Sequence, residues 1–173
     1  PRGMEEGRGE SRGSVVHAAR MMFDAHTHLQ DRQFDRDRDE VVRRTRERGI
    51  RAVQVGTDLE MSRGAVRLAE AHDGFWAAVG QHPTDTDAPF DSVAFGELAR
   101  HPKVVAIGEC GLDYYRGKTE DRARQAELFR AQIALSKAVG KPLMIHCRPS
   151  VGPDKTNSTD AYDDVFKILS EED

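Results

Sequence analysis

The stretch KVVAIGE (103–109), the charged run Glu120–Val139 and KPLMIHC (141–147) decide how this chain is read. An apolar run of strand length, a long amphipathic segment and a second apolar run make one β-α-β unit. Glu120 and Asp121 suit the positive end of the predicted helix, and Thr119 stands where an N-cap belongs. Leu128, Ala131, Leu135 and Ala138 form its apolar stripe, and Lys137 with Gly140 closes it.

Outward from this unit the alternation repeats. Apolar runs occur at MMF, IRAVQVG (50–56) and GFWAAVG (74–80). Between them, Asp37–Arg48 is a charged helix carrying Val41 and Val42, stopped by Gly49. Asp58 caps a second helix bearing Ala65, Leu68 and Ala69, and residues 91–100 make a short third. A last helix follows Asp160, with Tyr162, Val165, Phe166 and Leu169 at helical spacing. Five βα units in strict alternation predict an α/β fold with a parallel sheet and right-handed crossovers.

The composition fits one soluble globular domain: of 173 residues, 32% are charged and 38% hydrophobic. The net charge of −4 carries no global basic footprint, so nucleic acid would have to be met by a local basic rim or by a metal. Cys110 and Cys147 lie far apart, which argues against a disulfide scaffold and for a reducing compartment, the cytoplasm. No apolar run is long enough to span a membrane. Residues 1–21 (PRGMEEGRGESRGSVVHAARM) are polar, glycine-rich and without a leader pattern; they read as a disordered or non-native extension before a domain at 22–173.

Chemically competent residues collect where the strands end. In FDAHTHL (23–29), His26 and His28 are two apart and leave a strand on one side. His82 follows the third strand, Glu109 the fourth, and His146 with Arg148 the fifth. Ligands of parallel α/β sheets bind at this carboxyl edge. Each residue has a plainer reading: a polar strand end for the HxH pair, a loop residue for His82, a satisfied core histidine for His146. Glu109 closes an apolar run, where a carboxylate needs a cation as partner. Three imidazoles and a carboxylate at one edge suit a divalent ion, and a carboxylate can bridge two.

The blocks MFDAHTHLQ, AVGQHP, AIGECGLDYYR and ELFRAQIALSKAVGKPLMIHCR, in this order, resemble the signatures of the TatD family of metal-dependent hydrolases. The resemblance implies a (β/α)₈ barrel of the amidohydrolase-like superfamily and a deoxyribonuclease acting on DNA. It implies divalent ions, two in number (Mg²⁺, Mn²⁺ or Zn²⁺). His26 and His28 would hold one ion, Glu109 would bridge, and His146 would hold the second. His82 and Arg148 would contact phosphate. Cys110 departs from the family's branched aliphatic residue and is expected on the strand face opposite Glu109. The segment after Arg148 also departs, and the family's later histidine and aspartate blocks do not occur in 22–173. The chain therefore reads as the N-terminal portion of such a domain, with no catalytic general base among its residues.

A barrel of this kind typically takes ~250 residues. With five units present, the resemblance implies a partial (β/α)₈ barrel; the residue pattern alone leaves an open parallel sheet of order 3-2-1-4-5 as the alternative. In function, the alternatives to a phosphodiesterase are a metal-dependent ester or amide hydrolase and a non-catalytic metal-binding or interaction protein. No obligate protein partner is evident.

Overall fold

The computed structural model of the protein describes residues 22–152, 156 and 158–172. The extension read over residues 1–21 lies outside them. Five strands, β1 (Phe23–Thr27), β2 (Arg51–Val55), β3 (Phe75–Val79), β4 (Val104–Asp113) and β5 (Leu143–Arg148), form one sheet. All pairs are parallel and the order is β1-β2-β3-β4-β5. Each strand lies beside its sequence neighbour, which is the progression of a (β/α)₈ barrel and excludes the 3-2-1-4-5 order. Helices α1 (Arg38–Glu47), α2 (Leu59–Ala71), α3 (Ser92–Ala99), α4 (Arg122–Val139) and α5 (Asp160–Glu171) complete the five units.

The period-2 alternation of the strands divides the core. Ala52, Phe75, Ala77, Val79, Val104 and Ile107 pack with Val42, Ala65, Val66, Ala69, Phe95 and Ala99 of the first three helices. Cys110 and Leu112 of β4 pack with Phe129 and Ile133 of α4 and with Ala161, Val165 and Ile168 of α5. Val53, Val55, Ala78 and Ala106, with Trp76 and Met144, form a cluster made of strand residues alone, the inward face of the curled sheet. Five consecutive units of a barrel thus place the carboxyl ends of their strands side by side.

Several local expectations need correction. β1 runs to Thr27 and contains His26; a register shift between Asp24 and Thr27 lets the strand bend at the histidine pair. β4 does not end at Glu109 but continues to Asp113, because Cys110 and Leu112 supply a second apolar stretch against α4 and α5. Thr119 opens a short 3₁₀ turn and is not the cap of α4; the Asp121 carboxylate instead accepts from the Lys118 amide. The buried face of α4 is Gln125, Leu128, Phe129, Gln132, Ile133 and Ser136, not the stripe read through Ala131 and Ala138. On α5, Ala161, Val165 and Ile168 are buried, whereas Tyr162 and Phe166 face out.

Two glutamines explain the α4 face. Gln132 Oε1 accepts from the Gln81 amide at 2.9 Å while its Nε2 donates to the Gln81 carbonyl at 2.8 Å. Gln125 does the same to Asp113, at 2.8 and 3.0 Å. Seven residues is two helical turns, so both amides leave one side of α4. Each satisfies a buried peptide group at the end of a strand, β3 and β4 respectively. These clamps fix the residues from which the site is built.

Candidate metal centre

His26 and His28 meet at the top of β1. Their Nε2 atoms are 3.2 Å apart, and they stand 3.3 and 3.8 Å from Glu109 Oε2. The tautomer of His28 is fixed: its Nδ1 lies 2.7 Å from the Val55 carbonyl, which can only accept. Nδ1 therefore carries the proton and Nε2 keeps its lone pair for a ligand.

Glu109 projects inward from the middle of β4. His146, on β5, brings Nδ1 to 2.9 Å from Glu109 Oε1 and Nε2 to 3.0 Å from Asp113 Oδ2. Glu109 and Asp113 are four apart on one strand and so share its inward face. Gly111 stands between them at φ +128°, and a Cβ there would lie 2.1 Å from the His146 carbonyl oxygen. Only glycine lets β5 come close enough for His146 to sit between the two carboxylates. Burial alone would raise the Glu109 pKa, but the hydrogen bond from His146 and the surrounding imidazoles outweigh it and lower it to about 2. Burial likewise disfavours a charged His146, yet the carboxylates of Glu109 and Asp113 raise its pKa above the usual histidine value.

His82 packs edge-on against His146, with ring centroids 4.4 Å apart. Burial and the neighbouring His146 lower its pKa to about 4, so it is neutral at pH 7. The Thr84 amide donates to His82 Nδ1 at 3.2 Å, which places the remaining proton on Nε2. His82 thus presents an N–H donor, although its ring lies within ligand reach of Glu109 and His146. Arg148, by contrast, lays its guanidinium on the Tyr115 ring at 3.8 Å. The cation that lines the cleft is Arg116, together with His28, Asp58, His82, Asp85, Glu109 and His146 around a volume of about 390 Å³.

Asp113 and Arg116 were missed by the sequence reading. The period-2 relation of Asp113 to Glu109 was the available signal, hidden because β4 was expected to stop four residues earlier. Arg116 lies in the turn after β4 and carries no pattern of its own. Cys110 is fully buried in the outer core, opposite Glu109 as expected, and burial pushes its thiol up to about 12.

The donor set fits divalent metal. Ligand bonds of ~2.0–2.1 Å in tetrahedral geometry place neighbouring donor atoms about 3.3 Å apart. The three atoms of the His26, His28 and Glu109 group stand at about these separations, and two such groups share Glu109.

A family model for the TatD-related DNases matches residues 23–173. The chain is 43% identical over 155 residues to the uncharacterized metal-dependent hydrolase YabD of Bacillus subtilis, covering 88% of this chain and 56% of that protein. It is 42% identical over 131 residues to the 3′-5′ ssDNA/RNA exonuclease TatD of Musicola paradisiaca, covering 73% of this chain and 49% of the relative. The chain thus spans about half the length of the curated relatives it matches. Its fold matches that of the TatD homolog YjjV from Escherichia coli with a TM-score of 0.65 at 22% identity, over 87% of this chain and 66% of the other. An uncharacterized amidohydrolase from Saccharomyces cerevisiae gives 0.66 at 21%, over 87% and 51%. With five parallel strands in barrel order and a histidine–carboxylate cluster at their ends, the chain belongs to the family of TatD-related DNases.

Proposed function

We propose that this chain forms the metal-binding half of a phosphodiesterase that cleaves single-stranded DNA with two divalent ions, Mg²⁺, Mn²⁺ or Zn²⁺. The observation that carries the reading is the sharing of Glu109: one oxygen faces His26 and His28, the other faces His146. His26, His28 and Glu109 would hold one ion, and Glu109 with His146 Nδ1 the other. Such a pair supplies Lewis-acid polarisation of the phosphoryl group, a water of lowered pKa and stabilisation of the leaving oxygen.

The chain's own residues prepare the rest. His28 is held in its ligating tautomer by the Val55 carbonyl. Asp113 holds His146 Nε2, which leaves Nδ1 as the atom turned to Glu109. His82, neutral and protonated on Nε2, offers a hydrogen bond to a phosphate oxygen, and Arg116 supplies a fixed positive charge in the same cleft. These two donors favour a phosphodiester over a neutral carboxylic ester. The names of the TatD relatives support single-stranded nucleic acid as the substrate.

The test is to incubate the purified chain, with Mn²⁺ or Mg²⁺ and with a chelator, on a labelled single-stranded oligonucleotide and on a panel of carboxylic esters. Slow metal-dependent shortening of the oligonucleotide, absent in Glu109→Gln, is expected, because none of the site's residues is assigned as general base, a group typically worth ~10²–10⁴ in rate. Ester hydrolysis without DNA cleavage would favour the alternative hydrolase. Folded, metal-loaded protein that turns over neither would favour a binding role.

A further inference from the structure

The cleft that binds phosphate in this reading has an aromatic neighbour with no role in the core. Tyr115 follows β4 and is 53% exposed, unlike the adjacent Tyr114, which is buried and donates to Asp164. The guanidinium of Arg148 lies on the Tyr115 ring, 3.8 Å from its centroid. The backbone that carries Tyr115 is fixed. The Tyr115 and Arg116 amides donate to Asp113 Oδ1 at 3.0 and 2.8 Å, and the other oxygen of that carboxylate accepts from His146. One buried carboxylate therefore ties the tyrosine, the cleft arginine and the candidate metal histidine together. Arg148 is two residues beyond His146 on β5 and shares its face.

An exposed aromatic ring backed by a planar cation, one residue from the arginine that lines a phosphate-binding cleft, is a stacking surface for a base. We propose that Tyr115, supported by Arg148, is a nucleobase-stacking platform that holds one base of a single-stranded nucleic acid while Arg116 meets an adjoining phosphate. The inference rests on the nuclease reading of the cleft and adds a recognition element to it. Consecutive Cα atoms are 3.8 Å apart, so Tyr115 and Arg116 can grip base and phosphate of the same nucleotide or of neighbours. Stacking is tolerant of sequence, since every base has a π-face, and it discriminates against a duplex whose bases are already stacked. Arg148 adds charge to the backbone track, so binding should weaken with salt.

The experiment uses the chain with Mn²⁺ and two fluorescent single-stranded oligomers of equal length with cleavage-resistant phosphorothioate linkages, one of thymidines and one abasic throughout. Binding is read by anisotropy. Tyr115→Ala should weaken binding of the thymidine oligomer by roughly 5- to 150-fold, the range found for loss of one aromatic–base stack. Tyr115→Phe should keep parent affinity, and the abasic oligomer should bind both variants and parent alike. Mn²⁺ affinity should be the same in parent and Tyr115→Ala, since Tyr115 belongs to neither candidate ligand group. Equal affinity of the parent for both oligomers, or equal loss in the Ala and Phe variants, would overturn the platform. Cleavage of DNA by the parent alongside such a result would leave the nuclease reading standing. A parent that binds neither oligomer and leaves an ordinary single-stranded oligonucleotide uncut would overturn both.

Discussion

Asp113→Asn isolates what a buried carboxylate does for the candidate centre. Asp113 is fully buried and accepts three hydrogen bonds, from His146 Nε2 at 3.0 Å and from the Tyr115 and Arg116 amides at 3.0 and 2.8 Å. In the variant, the amide oxygen can keep both backbone donors, which turns the new NH₂ toward Nε2. Two donors cannot face one another, so Nε2 must accept and the ring's one remaining proton stays on Nδ1. That is the nitrogen turned to Glu109, and its lone pair is no longer free for a metal. Loss of such an outer partner costs about 10–100-fold in metal affinity. At 1.4 kcal/mol per tenfold this is about 1.4–2.8 kcal/mol. The lost charge-assisted bond contributes ~1.5–3 kcal/mol to stability, out of ~5–15 for a typical domain, so the variant should still fold. Isothermal titration with Mn²⁺, beside a thermal melt, is the assay. One class of site should weaken by that factor while the His26–His28 class is unchanged. A folded variant that binds Mn²⁺ as tightly as the parent at every site would rule out this role for Asp113.

Glu109→Gln should impair Mn²⁺ binding at both positions, because each oxygen of that carboxylate serves a different histidine group. Cys110→Ile should cost ~1–3 kcal/mol of stability by overpacking against Phe129 and Ile133 while leaving metal affinity alone; equal affinities in the two variants would sink the shared-carboxylate reading. Asp160 offers a pH test away from the site. Burial alone would raise its pKa, yet hydrogen bonds from Ser158 and Ser150 outweigh it and hold the carboxyl below its usual range. A carboxyl lowered on folding lends stability that is full above the unfolded value of about 3.9 and lost as pH falls through the folded value. Asp160→Asn should therefore melt below the parent at neutral pH, with the gap closing as pH drops beneath about 4; a gap constant with pH would contradict it.

The features legible in the sequence were those that repeat. Alternation of apolar runs with charged amphipathic segments carried all five βα units, and the HxH pair stood out because two imidazoles at i and i+2 leave one side of a strand. The α4 face was misread for a physical reason. Gln125 and Gln132 are polar and break an apolar stripe, yet they are buried because each satisfies a peptide group across the loop. A hydrophobic pattern cannot register a hydrogen bond to a distant backbone. Asp113 and Arg116 escaped on similar grounds. The extension of β4 beyond Glu109 depends on α5 packing over Cys110 and Leu112, a contact between segments some fifty residues apart in sequence. The family resemblance implies His82 as a phosphate contact; its tautomer follows only from the Thr84 amide that meets Nδ1.

In this reading Glu109 is shared by two metal positions. Anomalous scattering from a Mn²⁺-loaded crystal tests it most directly. Two peaks ~3.5–4 Å apart are expected on either side of the Glu109 carboxylate, one beside His26 and His28 and one beside His146 Nδ1. Peaks only at surface carboxylates, with none within bonding distance of Glu109, would contradict it.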